Sequence, residues 1–446
     1  MHGFSHNPDT VASEKSKAVL ALALSILPLA LLRLLVSDAQ VDWDEELYFQ
    51  IGRHWNTDLI PYRDLFDVKP PAVFVIYKIY SAFGDSMAAV RVIAQTLLFS
   101  SVFVFARALE RPPFLFAPVL LLYLSTPHIL GANTEVLYIP FILFGASFFL
   151  RGKHVLAAVM AAIAINIKYT VVLDLLGALV FLAVWRPATV SPRIIAKTAA
   201  LVILFSLAIF FAFYIYFAAN GVDLISETIA RNIQYATEER SEGGLPTVVL
   251  GIYLFSGLLI AVGKRYGIEL PSGTLVLGLI GWLGLSMLQA LVTGQYFMHY
   301  FAPTFIPLAF LSASFLQSSY RLMRQALLLS LIGTVPFSAI TYLELSNRTQ
   351  SAWSQFEPLC ALERFYIADF YLSAYRACDT SFIPHKYMFP PFFEDERFAR
   401  ISGSGGMTAL CNLDYHVVAR DPRGKYRVFD SGRNYCAWRE NGAGVR

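Results

Sequence analysis

Long apolar runs separated by short polar punctuation dominate the first 343 residues of the chain. Runs at 18–37, 86–107, 113–131, 135–150, 154–168, 170–185, 198–219, 246–263, 272–293, 299–318 and 325–343 predict about eleven membrane-spanning helices. The first follows Glu14, Lys15 and Lys17. It is longer than the roughly 7–15 apolar residues of a signal-peptide core, so it reads as a retained span. The run at 72–83 is only about a dozen residues long and reads instead as an interfacial helix. An odd number of spans places the two ends of the chain on opposite sides of the membrane.

The basic residues agree with this layout. Lys15 and Lys17, Arg107 and Arg111, Arg151 and Lys153, Arg186, Arg193 and Lys197, Lys264 and Arg265, and Arg321 and Arg324 all fall in one alternate set of loops. That set is predicted to be cytoplasmic. The other set comprises 38–85, the turn 131–134, Lys168-Tyr169, the loop 220–245 and everything after 343. Counting 72–83 as a span would reverse this and put most Arg and Lys outside.

Composition supports a membrane protein. The 446 residues are 56% hydrophobic and 15% charged, against about 25% charged in ordinary soluble domains. A net charge of +3, with no long basic run and no zinc-type Cys/His spacing, gives no sign of a nucleic-acid partner. The expected fold is an all-α polytopic membrane protein. It has a cytoplasmic tail at 1–17, a transmembrane domain at 18–343 and a small extracytoplasmic domain at 344–446. The last segment holds all four cysteines, Cys360, Cys378, Cys411 and Cys436. An even count confined to an extracytoplasmic segment fits one or two disulfides, with three full pairings open.

The loop 38–85 places acids where the first span leaves the bilayer: Asp42-Trp43-Asp44-Glu45-Glu46, then Tyr48, Gly52-Arg53, Pro61-Tyr62-Arg63-Asp64 and Phe66-Asp67-Val68-Lys69-Pro70-Pro71. This order resembles the first extracytoplasmic loop of the GT-C glycosyltransferases. It is nearest to the bacterial branch related to dolichyl-phosphate-mannose protein mannosyltransferases and the lipid A aminoarabinose transferase. Asn133-Thr134-Glu135, Ile167-Lys168-Tyr169-Thr170 and Tyr296-Phe297-Met298-His299-Tyr300 resemble three further family segments, together covering about 18–345. Tyr169 stands where the family has Pro. Val68 stands where the aminoarabinose transferase has a metal-holding Glu, with Asp67 one residue further away.

The resemblance implies transfer of a sugar from a polyprenyl-phosphate donor to a glycan, lipid or protein acceptor on the outer face of a bacterial inner membrane. Asp44 matches the catalytic acid, and Glu135 is a second candidate. Lys69 and Lys168 would stabilise the charge growing on the leaving lipid phosphate, because a lysine at a membrane edge reaches head groups. Arg63, His299 and Tyr300 are further phosphate-binding candidates, although Arg63 could equally pair with Asp64. Glu45, Tyr48, Arg53 and Asp67 are expected in support. A divalent metal enters only through the resemblance, with Asp67 and His299 as its candidates. The loop 220–245 reads as a flap over the site or as a connecting helix. Two rival functions share the pattern of spans: a lipid or glycolipid flippase, and an inactive assembly subunit. The clustering of acids and lysines at one edge, with no repeat, favours surface chemistry over transport.

Overall fold

The computed structural model describes residues 43–55, 59–65, 67–84, 86–109, 131–186, 190–238, 272–292, 297–316, 357–362, 365–368, 410–412, 416–420 and 426–439, with isolated positions between them. The expected spans 18–37, 113–131 and 325–343 lie wholly or almost wholly outside these residues, as does most of 246–263.

The described helices are α1 (Trp43–His54), α2 (Ala72–Ser81), α3 (Met87–Ala108), α4 (Thr134–Leu150), α5 (His154–Ile167), α6 (Val172–Trp185), α7 (Pro192–Ala219), α8 (Arg231–Glu238), α9 (Gly273–Val292), α10 (Phe305–Leu316) and α11 (Gly432–Trp438). Among the described residues, α3, α7 and α9 are long and apolar enough to cross a membrane, at 22, 28 and 20 residues. The helices α4, α5 and α6 are apolar but shorter. Their starts and stops follow the sequence. Asn133 caps α4, its side chain accepting from the Thr134 amide at 2.7 Å. Gly152, at φ +71°, turns the chain between α4 and α5. Most observed ends fall within a residue or two of the apolar runs. The largest differences are α7, which begins six residues early because Ser191-Pro192 starts it, and the 299–318 run, which opens as a 3₁₀ turn over Met298–Thr304.

The chain divides into two compact units. The first takes residues 1–36, 91–207 and 241–342, and its described core is helical. In it α6 packs along α9 through glycine. A Cβ built at Gly177 would lie 2.6 Å from the Trp282 ring, and one at Gly278 would lie 3.1 Å from the Phe181 carbonyl oxygen. Small residues let membrane helices approach this closely.

The second unit takes residues 37–90, 208–240 and 343–446. Here α1 lies against α2, the interfacial helix expected at 72–83. The two backbones meet at Gly52, where a Cβ would stand 2.7 Å from the Lys78 nitrogen and 2.9 Å from the Tyr77 carbonyl carbon. Backbone atoms cannot swing aside, so Gly52→Ala is expected to destabilise this unit by about 1–3 kcal/mol. A lowered thermal midpoint in detergent would show it. Gly284→Ala serves as the control, since a Cβ there meets nothing within 4 Å. On α2 and just beyond it, Ile79 and Phe83 are left exposed.

The described part of 220–245 is helical from 224 to 238 and includes a π turn over Ser226–Ala230. Asn232 at its centre donates to the Val68 carbonyl, so this segment is fastened to the Asp67–Pro71 stretch. Among the described residues after 344, three strands form one sheet in the order β1 (Phe365–Ala368), β2 (His416–Arg420) and β3 (Tyr426–Phe429). The β1–β2 pair is parallel, with Phe365 opposite His416; β2–β3 is antiparallel, with Val417 opposite Phe429. Tyr366, Leu410, Val417, Ala419, Tyr435 and Cys436 make its core. Disulfides join Cys360 to Cys378 and Cys411 to Cys436, the second at the edge of that core.

Candidate active site

The predicted residues gather in two clusters, one in each unit. In the second unit the acids of the loop motif open α1. Three carboxylates in a first turn suit the helix dipole, as Arg53 and His54 suit the last turn. A purely electrostatic cap would stay wet, however, and these acids do not. Asp44 is 9% exposed, Glu45 0% and Glu46 1%. Asp44 accepts from the Tyr48 hydroxyl one turn on, at 3.1 Å. Tyr48 is itself held edge-on against Tyr77 of α2, with centroids 5.7 Å apart. Gln50 donates to Glu46 at 3.1 Å. The motif's spacing therefore turns Tyr48 back onto Asp44 and fixes the acid's orientation.

Lys69 is partly exposed and sits in a tightly held segment. Tyr62, at φ 68°, donates its hydroxyl to the Lys69 carbonyl at 2.6 Å. A left-handed backbone is strained for an aromatic residue, and this hydrogen bond helps hold it. The Asp67 Oδ1 accepts from the amides of Val68 at 2.5 Å and Lys69 at 2.9 Å. Its Oδ2 is buried with no hydrogen-bond partner. Burial raises the Asp67 carboxyl to about 7; the Lys69 charge and the two amides oppose that rise, and nearby Asp44 adds to it. Arg63 is exposed and forked onto Asp64, with Nη2 to Oδ2 at 2.7 Å and Nε to Oδ1 at 3.0 Å. This is the pairing alternative read from the sequence.

In the first unit, Glu135 lies in the first turn of α4 and is fully buried. Its Oε1 is paired with the Lys168 ammonium, and its Oε2 accepts from the Thr134 hydroxyl at 2.9 Å. Lys168 ends α5 in an extended conformation, just before the 3₁₀ turn Tyr169–Val171 that leads into α6. Its ammonium stands 4.0 Å from the centre of the Tyr300 ring. Tyr300 meets His299 edge-on at 4.5 Å, and His299 stacks on Phe297 at 5.8 Å. Glu135, Lys168, His299 and Tyr300, predicted separately, thus form one cluster.

A second layer, which the motifs do not contain, joins α4, α6 and α9. The Asp174 Oδ2 accepts from the Tyr138 hydroxyl at 3.1 Å, and its Oδ1 accepts from Ser286. Gln289 donates to the Tyr138 oxygen at 2.6 Å. All four are buried, and the Gln289 Oε1 has no hydrogen-bond partner. One signal could have found them: Asp174 is the lone charge inside the predicted span 170–185, and ionisable residues in spans are rarely idle.

The described residues do not fit a metal. Among those described, no three His, Cys, Asp or Glu gather in a way that could hold an ion. Asp67 has one oxygen committed to backbone amides and offers only the other, far short of the several oxygen ligands a hard divalent cation takes.

No protein-family model matches the chain, and no curated protein matches it by sequence. Among solved structures, its fold is like that of ArnT from Cupriavidus metallidurans, crystallised with undecaprenyl phosphate. The TM-score is 0.59 at 12% identity, covering 98% of this chain and 95% of that one. The likeness is one of fold, and it agrees with the GT-C resemblance read from the loop motifs.

Proposed function

We propose that the chain is a GT-C-type membrane glycosyltransferase of a bacterial inner membrane. It takes a sugar from a polyprenyl-phosphate donor and passes it to a glycan, lipid or protein acceptor at the outer face. The observation that carries this reading is the ArnT-like fold over 98% of the chain. It gains support from a buried, tyrosine-oriented acid at the position the loop motif singles out.

The chemistry follows from that acid and the lysines. The acceptor hydroxyl oxygen attacks the anomeric carbon. Its proton passes to the Asp44 carboxylate, and the bond from that carbon to the phosphate oxygen breaks, leaving its electrons on the phosphate. A single displacement inverts the anomeric centre. The sequence resemblance is what assigns two cations, Lys69 and Lys168, to the phosphate. Their attraction grows with its charge, so it lowers the barrier as well as holding the donor. With a phosphate acceptor no base is needed, and Asp44 would orient the sugar.

The test uses purified protein in detergent with a panel of radiolabelled polyprenyl-phosphate sugars, following sugar release and transfer to membrane extract. Consumption of one donor, lost in Asp44→Asn, is expected and names the sugar. If no donor is consumed while the protein moves labelled lipid across liposomes, the chain is a transporter.

A further inference from the structure

The Asp174 layer has no part in the proposed chemistry, yet its hydrogen bonds join three helices of the first unit. Asp174 on α6 accepts from Tyr138 on α4 and Ser286 on α9, and Gln289 on α9 donates to Tyr138. Helix packing does not call for an acid here, because α6 and α9 already touch at Gly177 and Gly278. Burying a carboxyl among apolar helices is costly, and interhelical hydrogen bonds return little stability in membranes. The layer's place along the helices gives it a use. Tyr138 is three residues past Glu135, on the same face of α4. Asp174 follows Lys168 by a turn and a half, and Gln289 lies in the last turn of α9, shortly before the His299-Tyr300 segment.

We infer that Asp174 is a positioning residue: through Tyr138, Ser286 and Gln289 it sets α4, α6 and α9 so that Glu135 and Lys168 meet beneath Tyr300. This rests on the proposed glycosyl transfer. Asp174 touches neither donor nor acceptor. It acts by fixing where the Lys168 ammonium stands when the phosphate departs, so its loss should be felt in turnover more than in donor binding.

The experiment compares wild type, Asp174→Leu, Asp174→Asn and Asp44→Asn in full-length protein, with kcat per folded molecule, donor KM and thermal midpoint measured for each. The expected result is a kcat about 10-fold lower in Asp174→Leu, with KM within about 2-fold. Asp174→Asn, which keeps the size and one acceptor oxygen, should stay within about 3-fold of wild type. A merely structural residue would lower the midpoint and the folded yield but leave kcat per folded molecule unchanged, and that outcome overturns the inference. So does an Asp174→Asn as inactive as Asp174→Leu, since charge rather than placement would then be at work. If Asp44→Asn matches wild type, the glycosyltransferase mechanism itself falls. If Asp44→Asn is inactive while Asp174→Leu matches wild type, only the positioning role falls.

Discussion

Asp44→Asn is expected to cut transfer to a hydroxyl acceptor by about 10²- to 10⁴-fold at saturating donor, the usual contribution of a positioned base. The amide keeps the size of the carboxylate and can still accept from the Tyr48 hydroxyl, so α1 should fold as before. It cannot take a proton. The loss should therefore fall on kcat and leave donor KM nearly unchanged. Purified variant and wild type, titrated with the donor found active, decide it. A loss confined to KM would instead make Asp44 a sugar-orienting group and point to a phosphate acceptor. Full activity would remove it from the chemistry.

The second large effect is expected at Lys168. Its ammonium is the charge partner of a Glu135 that is 0% exposed, so Lys168→Met strands a buried carboxylate. Breaking a buried pair from one side costs about 3–5 kcal/mol. The single variant should therefore lose both folded yield and transfer. The double variant Lys168→Met/Glu135→Gln removes the stranded charge and should regain the folded protein, while transfer stays lost for want of a cation at the phosphate. Yield by gel filtration in detergent and transfer per folded molecule separate the two effects. A double variant that folds and transfers normally would show that Lys168 serves Glu135 and nothing else.

Period and length made much of the architecture legible. Runs bounded by charge or by Gly and Pro gave α3, α4, α5, α6 and α9 to within a residue or two, and a twelve-residue run too short to span gave α2. The acid at the head of α1 was legible because Asp44, Tyr48 and Lys69 keep a recognisable order in one short loop. Lys168 and Glu135 were each named, but their pairing was not. They stand 33 residues apart and meet only because α4 and α5 fold back on one another. Tyr138, Asp174, Ser286 and Gln289 were harder still. A tyrosine, a serine and a glutamine are ordinary in apolar helices, and their bonds span 36, 112 and 151 positions. Only the carboxyl of Asp174 carried a local warning. The burial of Glu45 and Glu46 was hidden for a related reason: composition marks an acid as polar and cannot say which neighbours will cover it.

The glycine seam between α6 and α9 has a mechanical consequence. With the Gly177 backbone in contact with Trp282 and the Gly278 backbone with Phe181, the two helices are keyed together like a tongue in its slot. Neither can slide or roll past the other without driving backbone into an aromatic ring. They form one stiff strut, with Lys168 just before the head of one member and Gln289 in the last turn of the other. Any bending within this pair's surroundings falls to the joints around the strut, and the strut itself supplies the fixed frame against which they bend.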